Sequence, residues 1–105
     1  MMAEHVVVLE EAAHDLGLGV VFYESQREGL GTYFFDSLMA DIESLHLSAG
    51  THPIHVGVYR MLSRRFPYAV YYGYDGKTVR VIAILDMRRN PVWSYDQLNS
   101  RPLDR

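Results

Sequence analysis

Cysteine is absent from the 105 residues of the chain. The chain therefore has no disulfide framework, no thiolate nucleophile and no cysteine-based zinc site, and it suits a reducing compartment. Its apolar runs are far shorter than the roughly 18 residues that a membrane-spanning helix needs. The N-terminal stretch MMAEHVVV lacks both a basic region and a long apolar region, so we expect no signal peptide. These absences predict a cytoplasmic protein that does not enter a membrane.

Motifs that would bind a phosphate group, a metal or an activated nucleophile are also missing. The chain has no glycine-rich phosphate loop, no nucleophile elbow and no metal-binding motif. His52 and His55 are the one close pair of histidines, but Pro53 lies between them, and neither a carboxylate nor a cysteine is near. We therefore interpret both histidines as loop residues and predict neither a metal nor a cofactor.

Charge is distributed unevenly along the chain, whose net charge is −3. Residues 1–51 hold nine acidic side chains against Arg27 alone, whereas residues 52–89 hold seven basic side chains against Asp75 and Asp86. A basic half within an acidic protein suits an acidic protein partner better than non-specific binding to nucleic acid.

The first half of the chain has the pattern of one strand followed by two helices. Residues 5–9 form a short β-branched run, and from Glu10 the apolar spacing changes to three and four. Gly29-Leu30-Gly31 separates this helix from a second amphipathic stretch that runs to Leu45. Two helices joined by a glycine-containing break predict an antiparallel helical hairpin.

The second half alternates with period two, which is typical of strands. The predicted strands are 56–61, 66–72 and 78–85, with a hairpin at Asp75-Gly76 and a last helical turn at 95–99. With 49% hydrophobic and 22% charged residues, the chain is globular. We predict one α+β domain spanning residues 1–105, with an ordered core at about 5–98. Its order is β-α-α-β-β-β(-α), an antiparallel meander sheet packed against a two-helix hairpin.

Five arginines flank the predicted strands: Arg60, Arg64, Arg65, Arg88 and Arg89. In a meander the start of the third strand lies beside the end of the fourth, so these guanidiniums are expected to converge at one end of the sheet. Trp93 would then be well placed to cover an arginine plane. The alternative is a set of solvated charges at strand ends. For five arginines at one end of the sheet, a functional patch and solvated charges are equally good interpretations.

The order of elements and several short motifs resemble the ParE/RelE superfamily of toxins. The motifs are Arg65-Phe66-Pro67-Tyr68, the apolar strand Val79–Leu85, and Arg88-Arg89-Asn90-Pro91 followed by Trp93. In the first half, Tyr23 near the end of helix one and the Gly-Leu-Gly link agree with the same pattern. The chain looks most like the ParE-type plasmid-stabilisation branch, and the resemblance covers roughly residues 5–95.

The resemblance implies a toxin of a type II toxin–antitoxin system that a small antitoxin protein neutralises by wrapping it. ParE-type members poison DNA gyrase, whereas RelE-type members cut messenger RNA on the ribosome. An indole cannot exchange a proton usefully, and Trp93 stands about where RelE-type proteins carry a catalytic aromatic. This favours a toxin without chemistry of its own. Its expected partner-binding residues are Arg60, Arg64, Arg65, Tyr68, Arg88, Arg89 and Trp93.

The alternative is a RelE-type, ribosome-dependent mRNA endoribonuclease that uses Arg65, Arg88 and Tyr95. Tyr95 would then replace the aromatic acid, although from a different position in the sequence. Whether the chain is an enzyme stays open at this point. So does its assembly, for which a homodimer and a toxin–antitoxin hetero-oligomer are the two alternatives.

Overall fold

The computed structural model of the chain describes residues 2–102, so Met1 and residues 103–105 of the predicted domain lie outside the described residues. The elements are β1 (His5–Val8), α1 (Glu10–Gln26), α2 (Leu30–Glu43), α3 (Leu45–Ser48), β2 (Ile54–His55), β3 (Val58–Leu62), β4 (Tyr68–Tyr74), β5 (Thr78–Asp86) and α4 (Pro91–Asn99). The predicted α+β class is confirmed. No helix within residues 2–102 has the length and apolarity needed to cross a bilayer.

The five strands form one sheet in the order β1-β5-β4-β3-β2. The strands β2 to β5 form the predicted antiparallel meander, whereas β1 pairs with β5 in parallel. The predicted meander is therefore confirmed, and the parallel pairing of β1 with β5 is a feature that the prediction did not specify. A parallel pair needs a long crossover connection, and the helices and strands between β1 and β5 provide one.

The first two residues of the predicted strand 56–61 form a tight turn, so the strand begins at Val58. Ile54–His55 pairs with β3, and the connecting residues Val56 and Gly57 have φ angles of 54° and 79°. Positive φ at both central residues is the geometry of a two-residue hairpin turn. The apolar alternation continues through this turn, which explains why the sequence pattern did not reveal it.

The core lies on both faces of the sheet. On one face, strand side chains pack against α1 and α2; the largest buried members of this cluster are Tyr72, Phe34, Leu38, Leu45 and Ile84. On the other face, Tyr71, Ala83 and Leu85 pack against Leu98 of α4. The central strand β5 is therefore covered on both faces, as its continuous apolar run predicts.

The helical hairpin is packed closely at two glycines. A Cβ added at Gly19 would lie 2.5 Å from the ring of Phe34, and one at Gly31 would lie 2.7 Å from the carbonyl oxygen of Val20. Gly29, with a φ of +87°, precedes α2, and Gly31 already lies within that helix. The predicted break at 29–31 is thus centred on 27–29. Glu24 accepts hydrogen bonds from the backbone N–H groups of both glycines that flank Leu30.

The last helix is longer than predicted, because it begins at Pro91 rather than at Tyr95. Asn90 caps it by accepting a hydrogen bond of 2.8 Å from the backbone N–H of Val92. An asparagine at the cap followed by a proline in the first turn is a common helix start. This start signal is present in the sequence at Asn90-Pro91, four residues before the predicted turn at 95–99.

Candidate partner-binding surface

Arg88 is tied to the α1 side of the sheet. Its guanidinium makes two hydrogen bonds to Asp86, of 3.0 Å from Nε and 2.8 Å from Nη2, and its Cζ lies 5.6 Å from the ring centre of Phe22. Burial alone would raise the pKa of Asp86, but the hydrogen bonds from Arg88 outweigh it and hold that pKa below its ordinary value. Arg88 thus anchors the end of β5 as well as adding positive charge.

Tyr68 belongs mainly to the core. It is 7% exposed, and its ring packs edge-on against Phe34 at 4.9 Å between centroids. Burial, followed by the nearby charge of Asp86, raises the pKa of Tyr68 to about 12. The residue therefore presents little surface to a partner, and its place in this structure is chiefly that of a packing residue.

Arg89 points to the α4 side, away from Arg88. Its guanidinium lies 3.9 Å from the ring centre of Trp93, so the indole covers an arginine plane as the sequence predicted. Trp93 is half-buried and packs against the cluster beneath α4. The side chain therefore combines contact with the core and contact with a cation at the surface.

Arg64 and Arg65 lie exposed in the loop between β3 and β4. Asp41 of α2 holds this loop by accepting hydrogen bonds from the Ser63 hydroxyl (2.7 Å) and the Arg64 backbone N–H (3.3 Å). The loop also meets the segment after β5, because the N–H of Met87 donates to the carbonyl of Pro67. The two arginine-bearing segments are therefore neighbours, as a meander requires.

The five arginines nevertheless do not form one cluster. Arg88 packs against α1, Arg89 packs against Trp93, and Arg60 lies within β3 beneath α4. The expected convergence was correct for the backbone segments and wrong for the side chains. The reason is that Arg88 and Arg89 are consecutive residues whose side chains lie on different sides of the sheet, one against α1 and the other against α4.

A groove of about 910 Å³ lies between α1 and α4, along β5. Leu18 and Phe22 form part of one wall, Trp93 and Arg89 form part of the other, and Leu85 lies between them. Leu18 and Phe22 are 59% and 44% exposed. Apolar side chains this exposed, next to arginines, are typical of a surface that a protein partner covers.

A smaller pocket of about 260 Å³ lies under the first turns of α4. Arg60, Arg89, Tyr95 and His55 line it. Tyr95 is therefore close to Arg60 and Arg89, whereas Arg88 lies against α1. The set Arg65, Arg88 and Tyr95, on which the ribonuclease alternative depended, is not gathered in one place by the fold.

Comparison with known proteins is informative at the level of solved structures. No family model matches the chain, and no curated protein matches it. Among solved structures, the chain is similar to one described as the chromosomal ParDE TA system from P. aeruginosa, with 20% sequence identity and a TM-score of 0.67. The likeness covers 79% of this chain and 94% of that one. It confirms, at the level of fold, the resemblance to the ParE/RelE superfamily: the chain has the fold of a chain from a ParDE toxin–antitoxin system.

Proposed function

We propose that the chain is the toxin of a ParE-type toxin–antitoxin module, neutralised by a small antitoxin and acting on a cellular protein such as DNA gyrase. The observation that carries this proposal is the shared fold, which covers nearly the whole length of the ParDE chain. The sequence motifs around Arg65-Phe66-Pro67-Tyr68 and Arg88-Arg89 support the same assignment independently of the fold.

The surface supports action through protein contacts. Within residues 2–102, Arg60, Arg64, Arg65 and Arg89 make no ion pair, in contrast to Arg80, Arg88 and Arg101. The exposed apolar residues of α1 lie near Arg89 across the groove. An antitoxin segment would bury apolar side chains in this groove and place its acidic residues toward the unpaired arginines.

A supercoiling assay tests the proposed target. If the chain is such a toxin, we expect a small reading frame beside its gene to encode the antitoxin. The purified chain is added to DNA gyrase and relaxed plasmid, with and without the protein encoded by this neighbouring reading frame. We expect the chain to inhibit supercoiling and the neighbouring protein to restore it. Full supercoiling at a saturating concentration of folded chain would exclude gyrase as the target. Another protein target could then be tested with the same assay design.

The ribonuclease alternative is retained only with a different set of residues, because Tyr95 lies with Arg60 and Arg89. Its test is Tyr95→Phe, which removes the phenolic hydroxyl that this alternative uses to protonate the leaving oxygen. Codon-positioned cuts in messenger RNA that appear on expression and disappear in this variant would establish the ribonuclease. We expect no such cuts, and unchanged toxicity of the Tyr95→Phe chain.

A further inference from the structure

The small pocket under α4 contains two arginines that have no acidic partner among residues 2–102. Arg60 reaches it from β3, and Arg89 reaches it from the segment before α4. The three arginines that do form ion pairs in residues 2–102 are each matched with an aspartate: Arg80 with Asp75, Arg88 with Asp86 and Arg101 with Asp15. Within residues 2–102 these two guanidiniums have no matching negative charge, and a carboxylate from a binding partner could supply it.

The Nε atom of Arg60 is a buried donor without an acceptor. It is fully removed from solvent and has no hydrogen-bond partner among the described residues. Within those residues, the Tyr74 hydroxyl oxygen is the one other buried side-chain atom that lacks a hydrogen-bond partner. A buried donor without an acceptor is rare in native structures, because its lost hydration is not compensated. An acceptor in the pocket would compensate it only after a small shift of the Arg60 side chain, because the atom has no surface open to solvent.

We propose that this pocket binds the side-chain carboxylate of an aspartate or glutamate from a protein partner. The proposal deepens the proposed function, and it rests on that function for the partner's identity as the antitoxin. A carboxylate suits the site because the fork of a guanidinium matches its two oxygens. The apolar walls formed by Val56, Pro91 and Leu98 suit the methylene groups of such a side chain.

Size and charge favour an acidic side chain over a nucleotide. The volume of about 260 Å³ is below the roughly 300–1,000 Å³ of pockets that enclose whole small molecules. The chain as a whole has a net charge of −3, which disfavours the close approach of a polyanion such as RNA. A single carboxylate on a peptide meets both limits.

The test uses the isolated folded chain and two signals from the pocket itself. One is the Nε–H resonance of Arg60 in a nitrogen–proton correlation spectrum, and the other is the fluorescence of Trp93, which is the one tryptophan of the sequence and contacts Arg89. The probes are N-acetyl-glutamate N-methylamide, its neutral glutamine analogue, inorganic phosphate and a short single-stranded oligoribonucleotide.

We expect the glutamate probe to shift both signals saturably, with an affinity at least ten-fold higher than that of the glutamine analogue. Arg89→Gln, at an exposed position, should lower that affinity about ten-fold, as should Arg60→Gln if that variant folds. The matched control Arg27→Gln, an exposed arginine at the end of α1, should leave it unchanged.

Equal affinity for the glutamate and glutamine probes would overturn the proposal, and so would the absence of any shift. A response to phosphate or to the oligoribonucleotide without a response to glutamate would overturn it in favour of a nucleic-acid site. The assay involves neither cells nor gyrase. A chain that is not toxic would therefore contradict the proposed function, whereas the binding of the glutamate probe to the pocket could still be interpreted.

Discussion

Arg101 and Asp15 form a buried ion pair that joins the end of α4 to α1. Nη1 of Arg101 lies 2.6 Å from Oδ2 of Asp15, and both residues are 9% exposed. The same carboxylate accepts a hydrogen bond from the N–H of Ile84, and the guanidinium donates to the carbonyl of Ile82. Because β1 ends opposite Val81, the two side chains supply the backbone of β5 with the partners that a longer β1 would have provided.

Removing either member of this pair should destabilise the protein strongly. The remaining charge would be buried without a partner, which typically costs about 3–5 kcal/mol. We expect Arg101→Ala and Asp15→Ala to lower the free energy of unfolding by this amount in urea titrations. The control is Arg80→Ala, which breaks the exposed pair with Asp75 and should cost less than about 1 kcal/mol. A similar small effect for Arg101→Ala would show that the buried pair does not hold α4.

The sequence did not predict this pair. Asp15 and Arg101 are 86 residues apart, and Arg101 looked like one of several balanced charges in the tail. Periodicity predicts elements and their buried faces, which is why α1, α2 and the hairpin between β4 and β5 were found. It contains no information about which distant charge meets which, and the split between Arg88 and Arg89 was missed for the same reason.

The two glycines of α1 should respond oppositely to alanine. At Gly19 a Cβ would enter the ring of Phe34, which is fully buried and held by other aromatic rings, so it cannot move away. At Gly17 there is open space, and the position is exposed. We expect Gly19→Ala to cost about 1–3 kcal/mol of stability and Gly17→Ala to add about 1 kcal/mol. Equal effects in thermal and urea unfolding would contradict the close packing of α1 on α2.

Stability should depend on pH through His52. The Tyr72 hydroxyl accepts a hydrogen bond from the N–H of Gly50 and lies 2.6 Å from Nδ1 of His52, to which it can donate its own proton. This hydrogen bond requires an unprotonated Nδ1, and burial lowers the pKa of His52 below 6.5. The unfolded chain therefore takes up a proton at higher pH than the folded one, and the contribution to stability, complete above pH 6.5, is lost as pH falls.

Urea midpoints measured at about pH 7.5, 6.5 and 5.5 check this dependence. The midpoint should begin to fall near the ordinary histidine pKa and should continue to fall below it. We expect His52→Ala to reduce the slope of stability against pH. The control His14→Ala, at an exposed position of α1, should keep it. An unchanged slope in His52→Ala would show that other groups set the acid sensitivity.

The exposed arginines of the loop between β3 and β4 should act on the rate of partner binding. Arg64 and Arg65 make no ion pair within residues 2–102, so their replacement by alanine should leave the unfolding free energy within about 0.5 kcal/mol. Charges at the rim of an interface contribute mainly to association rate and salt dependence. We expect the Arg64→Ala, Arg65→Ala double variant to bind the neighbouring small protein more slowly, with a flatter dependence on salt. An unchanged salt slope would exclude these arginines from the binding surface.

The most direct test of the proposed toxin function is the growth of bacteria that express the chain from an inducible promoter. One strain carries the chain alone, a second carries it with the neighbouring small reading frame, and a third carries a frameshifted copy as control. The account predicts that the chain alone stops growth and that the neighbouring gene restores it to the level of the control. Normal growth of the first strain, with folded chain present at levels verified by blotting, would contradict the assignment as a toxin.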